Sequence, residues 1–149
     1  MSVRKALEDA LKQAMRDKHE VKRNALRLAL STLKLAEIDS GKPLDDLSIF
    51  AILQKEIKTK EETIHEAEKA NRPEMIPAVK AEAEYLKGFL PKELSDVELS
   101  ELVKNAISET GAETIKDMGR VMKLAIEKAS GQASNDRISK LVRELLNPN

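Results

Sequence analysis

The stretch Ser95-Asp96-Val97-Glu98-Leu99-Ser100-Glu101-Leu102-Val103-Lys104-Asn105-Ala106-Ile107 decides how this chain is read. Ser95 and Glu98 stand at the spacing of a capping box, so a helix begins between them. Leu99, Leu102, Val103, Ala106 and Ile107 then recur at helical spacing and define one inward face. Gly111 ends the helix, because a glycine tolerates the left-handed backbone that a helix terminus needs. The same design repeats twice downstream. Ile115, Met118, Val121, Met122, Ala125 and Ile126 form the stripe of a second helix that ends at Gly131. Ser134 caps a third, with Ile138, Leu141, Val142 and Leu145 inward and Pro148 beyond its end. Residues 91–149 therefore read as a small three-helix module.

Upstream, the punctuation predicts a bundle of about four helices over residues 1–90, with Pro91 as the boundary. The first runs roughly from Ser2 to Asp17 on Val3, Leu7, Leu11 and Ala14 with Met15. The second runs from about Lys18 to Asp39, and its apolar residues (Val21, Leu26, Leu28, Leu30, Leu33, Leu35, Ile38) cover more than one face, which predicts a central helix. Ser40-Gly41-Lys42-Pro43 stops it. The third starts near Asp46 and continues to about Ala70, with Phe50, Leu53, Ile57 and Ile64 inward. Asn71-Arg72-Pro73 breaks that helix, Pro73 fits the first turn of a fourth, and Gly88 reads as its C-terminal cap. No strand alternation is present, so the fold class is all-α.

Composition narrows the function. Aromatic residues are 2% of the 149, so the core rests on Leu, Ile, Val, Ala and Met, which suits helix packing. With no cysteine, disulfides and thiolate metal sites are excluded. No run is apolar enough to span a bilayer, and the N-terminus lacks a signal core; the expected place is the cytoplasm. Net charge is zero, from 26 basic and 26 acidic residues. Residues 93–149 hold 8 basic and 10 acidic side chains, so any nucleic-acid affinity must come from a local patch.

No constellation of catalytic residues stands out. His19 and His65 lie among charged neighbours, no His-Glu-x-x-His spacing exists, and there is no nucleophile elbow. The expectation is no catalytic residue, no cofactor and no metal. Gly119 reads as a close-packing glycine and Met118 with Met122 as core filler. Two groups of cations are candidate phosphate contacts. Arg120 and Lys123 precede the Gly131 turn, and Arg137 and Lys140, with Arg143 less directly, follow it. A secondary stripe, Arg23, Arg27 and Lys34, shares a face of the second helix. Each group has a plain alternative as a solvated face. The scarcity of aromatics argues against base stacking.

Several stretches together resemble a known family. Phe89-Leu90-Pro91-Lys92-Glu93-Leu94-Ser95, Asp117-Met118-Gly119-Arg120-Val121-Met122, Ser130-Gly131-Gln132-Ala133-Ser134-Asn135 and Ile138-Ser139-Lys140-Leu141-Val142 are similar to the C-terminal module shared by YqeY-like proteins and the tail of the B subunit of the tRNA-dependent amidotransferase. Lys69-Ala70-Asn71-Arg72 with Tyr85-Leu86 extends the likeness toward the N-terminal half. Lys123 stands where the family usually has Gly, Gln132 where it has a basic residue, and Asn135 where it has Gly. The resemblance implies a helical, non-catalytic adaptor associated with tRNA, because the related tail helps grip tRNA while ammonia production and transfer occur elsewhere. The implied RNA contact is weak and electrostatic. A protein-interaction module docking a translation or amidotransferase component is the alternative, and an enzyme aiding carbon–nitrogen ligation on a tRNA-linked acid is a third reading.

Overall fold

The structure is a computed structural model and describes residues 2–147. Its described residues form seven α-helices and two short 3-10 turns, with no strand. Pro148, read above as following the last helix, lies outside the described residues. The chain separates into two compact units, one up to Leu90 and one from Pro91 onward.

In the first unit, α1 spans Val3–Arg16, α2 Glu20–Ser40, α3 Asp46–Lys69 and α4 Ile76–Lys87. Polar side chains start the first three of these helices by satisfying first-turn N–H groups that have no partner inside the helix. Ser2 Oγ accepts from the Lys5 N–H at 3.1 Å and Asp45 from the Ser48 N–H at 2.8 Å. His19 does the same at α2, its Nδ1 accepting from Lys22 N–H at 3.3 Å. Gly41 ends α2 at φ 74°, a left-handed conformation that favours glycine. Pro73 opens a 3-10 turn, Pro73–Met75, that leads into α4.

Leu7, Leu26, Leu33, Ile49, Leu53 and Leu86 fill the core of this unit, all but sealed from water. Burying each such side chain contributes about 1.5–3 kcal/mol. α2 is central, packing against α1, α3 and α4. Three polar contacts pin the helices. Glu37 accepts from the Arg4 guanidinium of α1 and from the Leu44 N–H at 2.9 Å. Lys60 of α3 meets Glu82 of α4 at 3.0 Å, and Lys60 is a buried charge. Thr32 Oγ1 donates to Glu56 Oε1 at 2.9 Å, tying α2 to α3. Part of the apolar surface read on α2 is not covered by the described residues of its own unit: Leu28, Leu35 and Ile38 are 49%, 63% and 66% exposed.

The second unit holds α5, Asp96–Thr110, a 3-10 turn Ile115–Asp117, α6, Met118–Ala129, and α7, Asn135–Leu146. The Ser95–Glu98 capping box forms in both directions, at 3.1 and 3.0 Å. Gly111 closes α5 at φ 69°. Leu99, Val103, Ala106, Val121, Ala125, Ile138 and Val142 make the core, and Met118 and Met122 pack against it. Small Ala106, Ala125 and Ala129 at the centre let the three helices approach closely.

One local expectation needs correction. Gly119 is exposed, and a side chain added there would meet nothing within 4 Å, so close helix packing does not explain it. Gly88 is the C-cap of α4, as its position predicts, and it caps in right-handed conformation, φ −63°. At the Gly131 turn the left-handed residues are Ser130 (φ 47°) and Gly131 (φ 84°), while Asn135 is already the first residue of α7.

Candidate functional site

The C-terminal cations divide into two kinds. Arg120, early in α6, turns back on the connection that precedes it. Its Nη1 donates to the Thr110 carbonyl at 3.1 Å and its Nη2 to Asp117 Oδ1 at 2.8 Å. Asp117 is the hub of that connection. Its other oxygen accepts from the N–H groups of Glu113 at 2.9 Å and Thr114 at 3.3 Å. Bonds from Glu113 N–H, Arg120 and Thr114 N–H, in that order, favour the charged carboxylate and lower its pKa to about 2. The Asp117–Arg120 pair thus closes the α5–α6 turn. A guanidinium still 61% exposed at its side chain remains reachable from solvent.

Arg137, near the start of α7, is committed further. Its Nη1 donates to Glu93 Oε1 and to the Leu94 carbonyl, both at 3.1 Å, and its Nη2 to Asp96 Oδ1 at 3.0 Å. The Leu94 N–H donates to the Gln132 carbonyl at 2.8 Å, and Gln132 Nε2 to the Lys92 carbonyl at 3.1 Å. These bonds stitch residues 92–96 to the turn before α7. The reading of Arg137 as a solvent-facing cation is corrected: its side chain is 28% exposed and its donors point into its own unit. Gln132, where the family usually has a basic residue, contributes to the same clamp.

Lys123, Lys140 and Arg143 remain on the outside. They lie on the outward faces of α6 and α7, which pack against each other. No ion pair holds any of the three among the described residues. Helical periodicity places exposed Glu127 beside Lys123, and exposed Asp136 and Glu144 beside Lys140 and Arg143. These helix faces are therefore mixed in charge, each with exposed cations and an acid within one helical turn.

The secondary stripe also divides. Arg27 and Lys34 are exposed, whereas Arg23 is half-buried and its Nε is shielded from water with no hydrogen-bond partner among the described residues. Among the described residues no group of three His, Cys, Asp or Glu side chains is placed to hold a metal ion, and no helix is long and apolar enough to cross a membrane.

Asp117 was missed as a functional element in the sequence, although a signal was there: Thr114 and Asp117 have capping-box spacing, and that box forms. The Arg137 clamp had no such signal, because its partners lie more than forty residues away.

Comparison with known proteins places the chain among relatives. Altered inheritance of mitochondria protein 41 of Pyrenophora tritici-repentis is 28% identical over 94% of this chain and 78% of its own length. The protein of the same name from Lachancea thermotolerans is 31% identical over 69% of this chain, which spans 57% of that relative. An uncharacterised protein of Schizosaccharomyces pombe is 27% identical over 64% of this chain and 74% of its own length. The model of the Yqey-like proteins matches residues 4–146, taking in both units and the Asp117–Met122 and Gly131–Asn135 segments, and the chain belongs to that family.

Proposed function

We propose that this chain is a non-catalytic, tRNA-associated adaptor that touches RNA through Lys123, Lys140 and Arg143. The observation that carries the reading is the exposure of these three cations on α6 and α7, two helices in contact, where Arg120 and Arg137 are held by their own unit. The likeness of this module to the amidotransferase tail supplies the RNA class. Placement in the cytoplasm belongs to the same proposal, and fungal relatives carry mitochondrial names.

The contact is weak. Three phosphate contacts at the single-strand coefficient make log K fall by about two per tenfold rise in salt, so a fourfold rise weakens binding about 20-fold. Glu127, Asp136 and Glu144 lower the affinity further without changing its sign. Fluorescence anisotropy with labelled tRNA and with a random duplex of equal length tests the proposal. Preference for tRNA, with that salt dependence, supports it. Equal or no binding hands the function to the protein-interaction alternative.

A further inference from the structure

The outward face of α2 carries a seam that the fold leaves uncovered. Leu28, Leu35 and Ile38 are 49%, 63% and 66% exposed, on a unit whose other large apolar side chains mostly pack inward. Their spacing is that of a heptad. With Leu28 and Leu35 at position a and Ile38 at d, Ser31 and Asn24 occupy the other d positions, and both are exposed. A strip of this kind, on a helix that already has a buried face, is an interaction surface.

Charge identifies the occupant. The g positions flanking the seam are Arg27 and Lys34, both exposed cations. The opposite, e-side flank holds Thr32 and exposed Asp39, with Glu56 of α3 bonded to Thr32 beside it. One flank is basic and the other acidic, so the surface is complementary to itself. Pairing two copies antiparallel sets g against g and brings Arg27 and Lys34 against their own kind. Pairing them parallel about a two-fold axis sets g against e, with Lys34 facing Asp39 of the other copy and Arg27 facing the Thr32–Glu56 edge. We propose that a second copy of this chain covers the α2 seam in a parallel two-fold pairing, with Leu28, Leu35 and Ile38 each meeting its own counterpart. Asn24 and Ser31 at d positions add polar register marks at some cost in affinity. Three large side chains and their flanks fall short of the roughly 800 Å² per partner of a stable interface, so the pairing is weak, with Kd on the order of 0.1 mM. The proposal is independent of the RNA reading.

Sedimentation equilibrium on the full chain, from about 10 μM to about 1 mM, tests it. The expected result is a monomer–dimer equilibrium that weakens as salt rises. Leu35→Glu should leave monomer throughout, with an unchanged circular dichroism spectrum because the residue is exposed. Lys34→Asp sets carboxylates against carboxylates and should weaken pairing about fivefold or more. Adding Asp39→Lys to Lys34→Asp re-forms the pair with reversed polarity and should restore the wild-type constant to within about twofold. The chain has no cysteine, so Asn24→Cys reports orientation: adjacent d positions near one end oxidise to a disulfide only in the parallel arrangement. A monomer across the whole range overturns the proposal. So does a dimer indifferent to Leu35→Glu, a double charge swap no better than the single one, or an Asn24→Cys dimer that does not cross-link.

Discussion

Replacing Arg137 by Ala separates a clamp from an RNA contact. The substitution removes hydrogen bonds to Glu93, the Leu94 carbonyl and Asp96. The two carboxylate partners are open to water, 77% and 101% exposed at their side chains, so each pair contributes only a few tenths of a kcal/mol. The bond to the Leu94 carbonyl is charge-assisted and part-buried, worth about 1 kcal/mol. The expected loss is about 1.5 kcal/mol, which for a unit of roughly 60 residues lowers its melting temperature by about 6–12 °C. Thermal melts of the full chain, followed by circular dichroism, would show it as an earlier transition. Arg137→Glu should cost more, because it sets a third carboxylate beside Glu93 and Asp96. Arg137→Lys should fall between, since an ammonium cannot hold three acceptors with a planar fork. The reasoning is refuted if Arg137→Ala melts with wild type while tRNA affinity collapses.

Two further predictions follow from polar contacts. Asp117 has its pKa lowered to about 2 by Glu113 N–H, Arg120 and Thr114 N–H, so its stabilising contribution is full above the ordinary carboxylate range and is lost as pH falls toward 2. Asp117→Asn should therefore melt earlier than wild type at pH 7, and the gap should close between about pH 4 and pH 2 in a pH series of melts. At the Lys60–Glu82 pair, Lys60→Ala leaves a half-shielded carboxylate without its partner and should cost about 2–3 kcal/mol in urea unfolding, whereas Lys60→Met with Glu82→Leu should come within about 1 kcal/mol of wild type.

Most of the fold was legible because its signals are local. Ser95, Glu98, Ser134 and Gly111 act within a few residues of where they stand, and each does in the structure what its spacing implies. The centrality of α2 was legible from the width of its apolar surface, but the direction was ambiguous: the same pattern describes a helix buried on two sides and one with a free seam. Gly119 was misread because a glycine inside a family motif looks like a packing residue, and only the open space around it shows otherwise. The candidate site was legible as a set of cations and illegible as a geometry. Arg120 is tied to a residue three positions back, which a sequence can suggest, whereas Arg137 is tied to Glu93 and Asp96 across the unit. Long-range pairing of this kind leaves no periodic trace, so the sequence shows the charge and hides its partner.

The most direct test of the adaptor reading is tRNA binding by the triple variant Lys123→Glu, Lys140→Glu and Arg143→Glu, measured by anisotropy beside wild type over a salt series. All three side chains are exposed, so the helical spectrum and melting temperature should stay close to those of wild type. The account predicts that wild type prefers tRNA to a random duplex, with log K falling about two per tenfold salt, and that the triple variant loses most of that affinity. Wild type that fails to distinguish tRNA from the duplex, or a triple variant that binds as well as wild type, would contradict it.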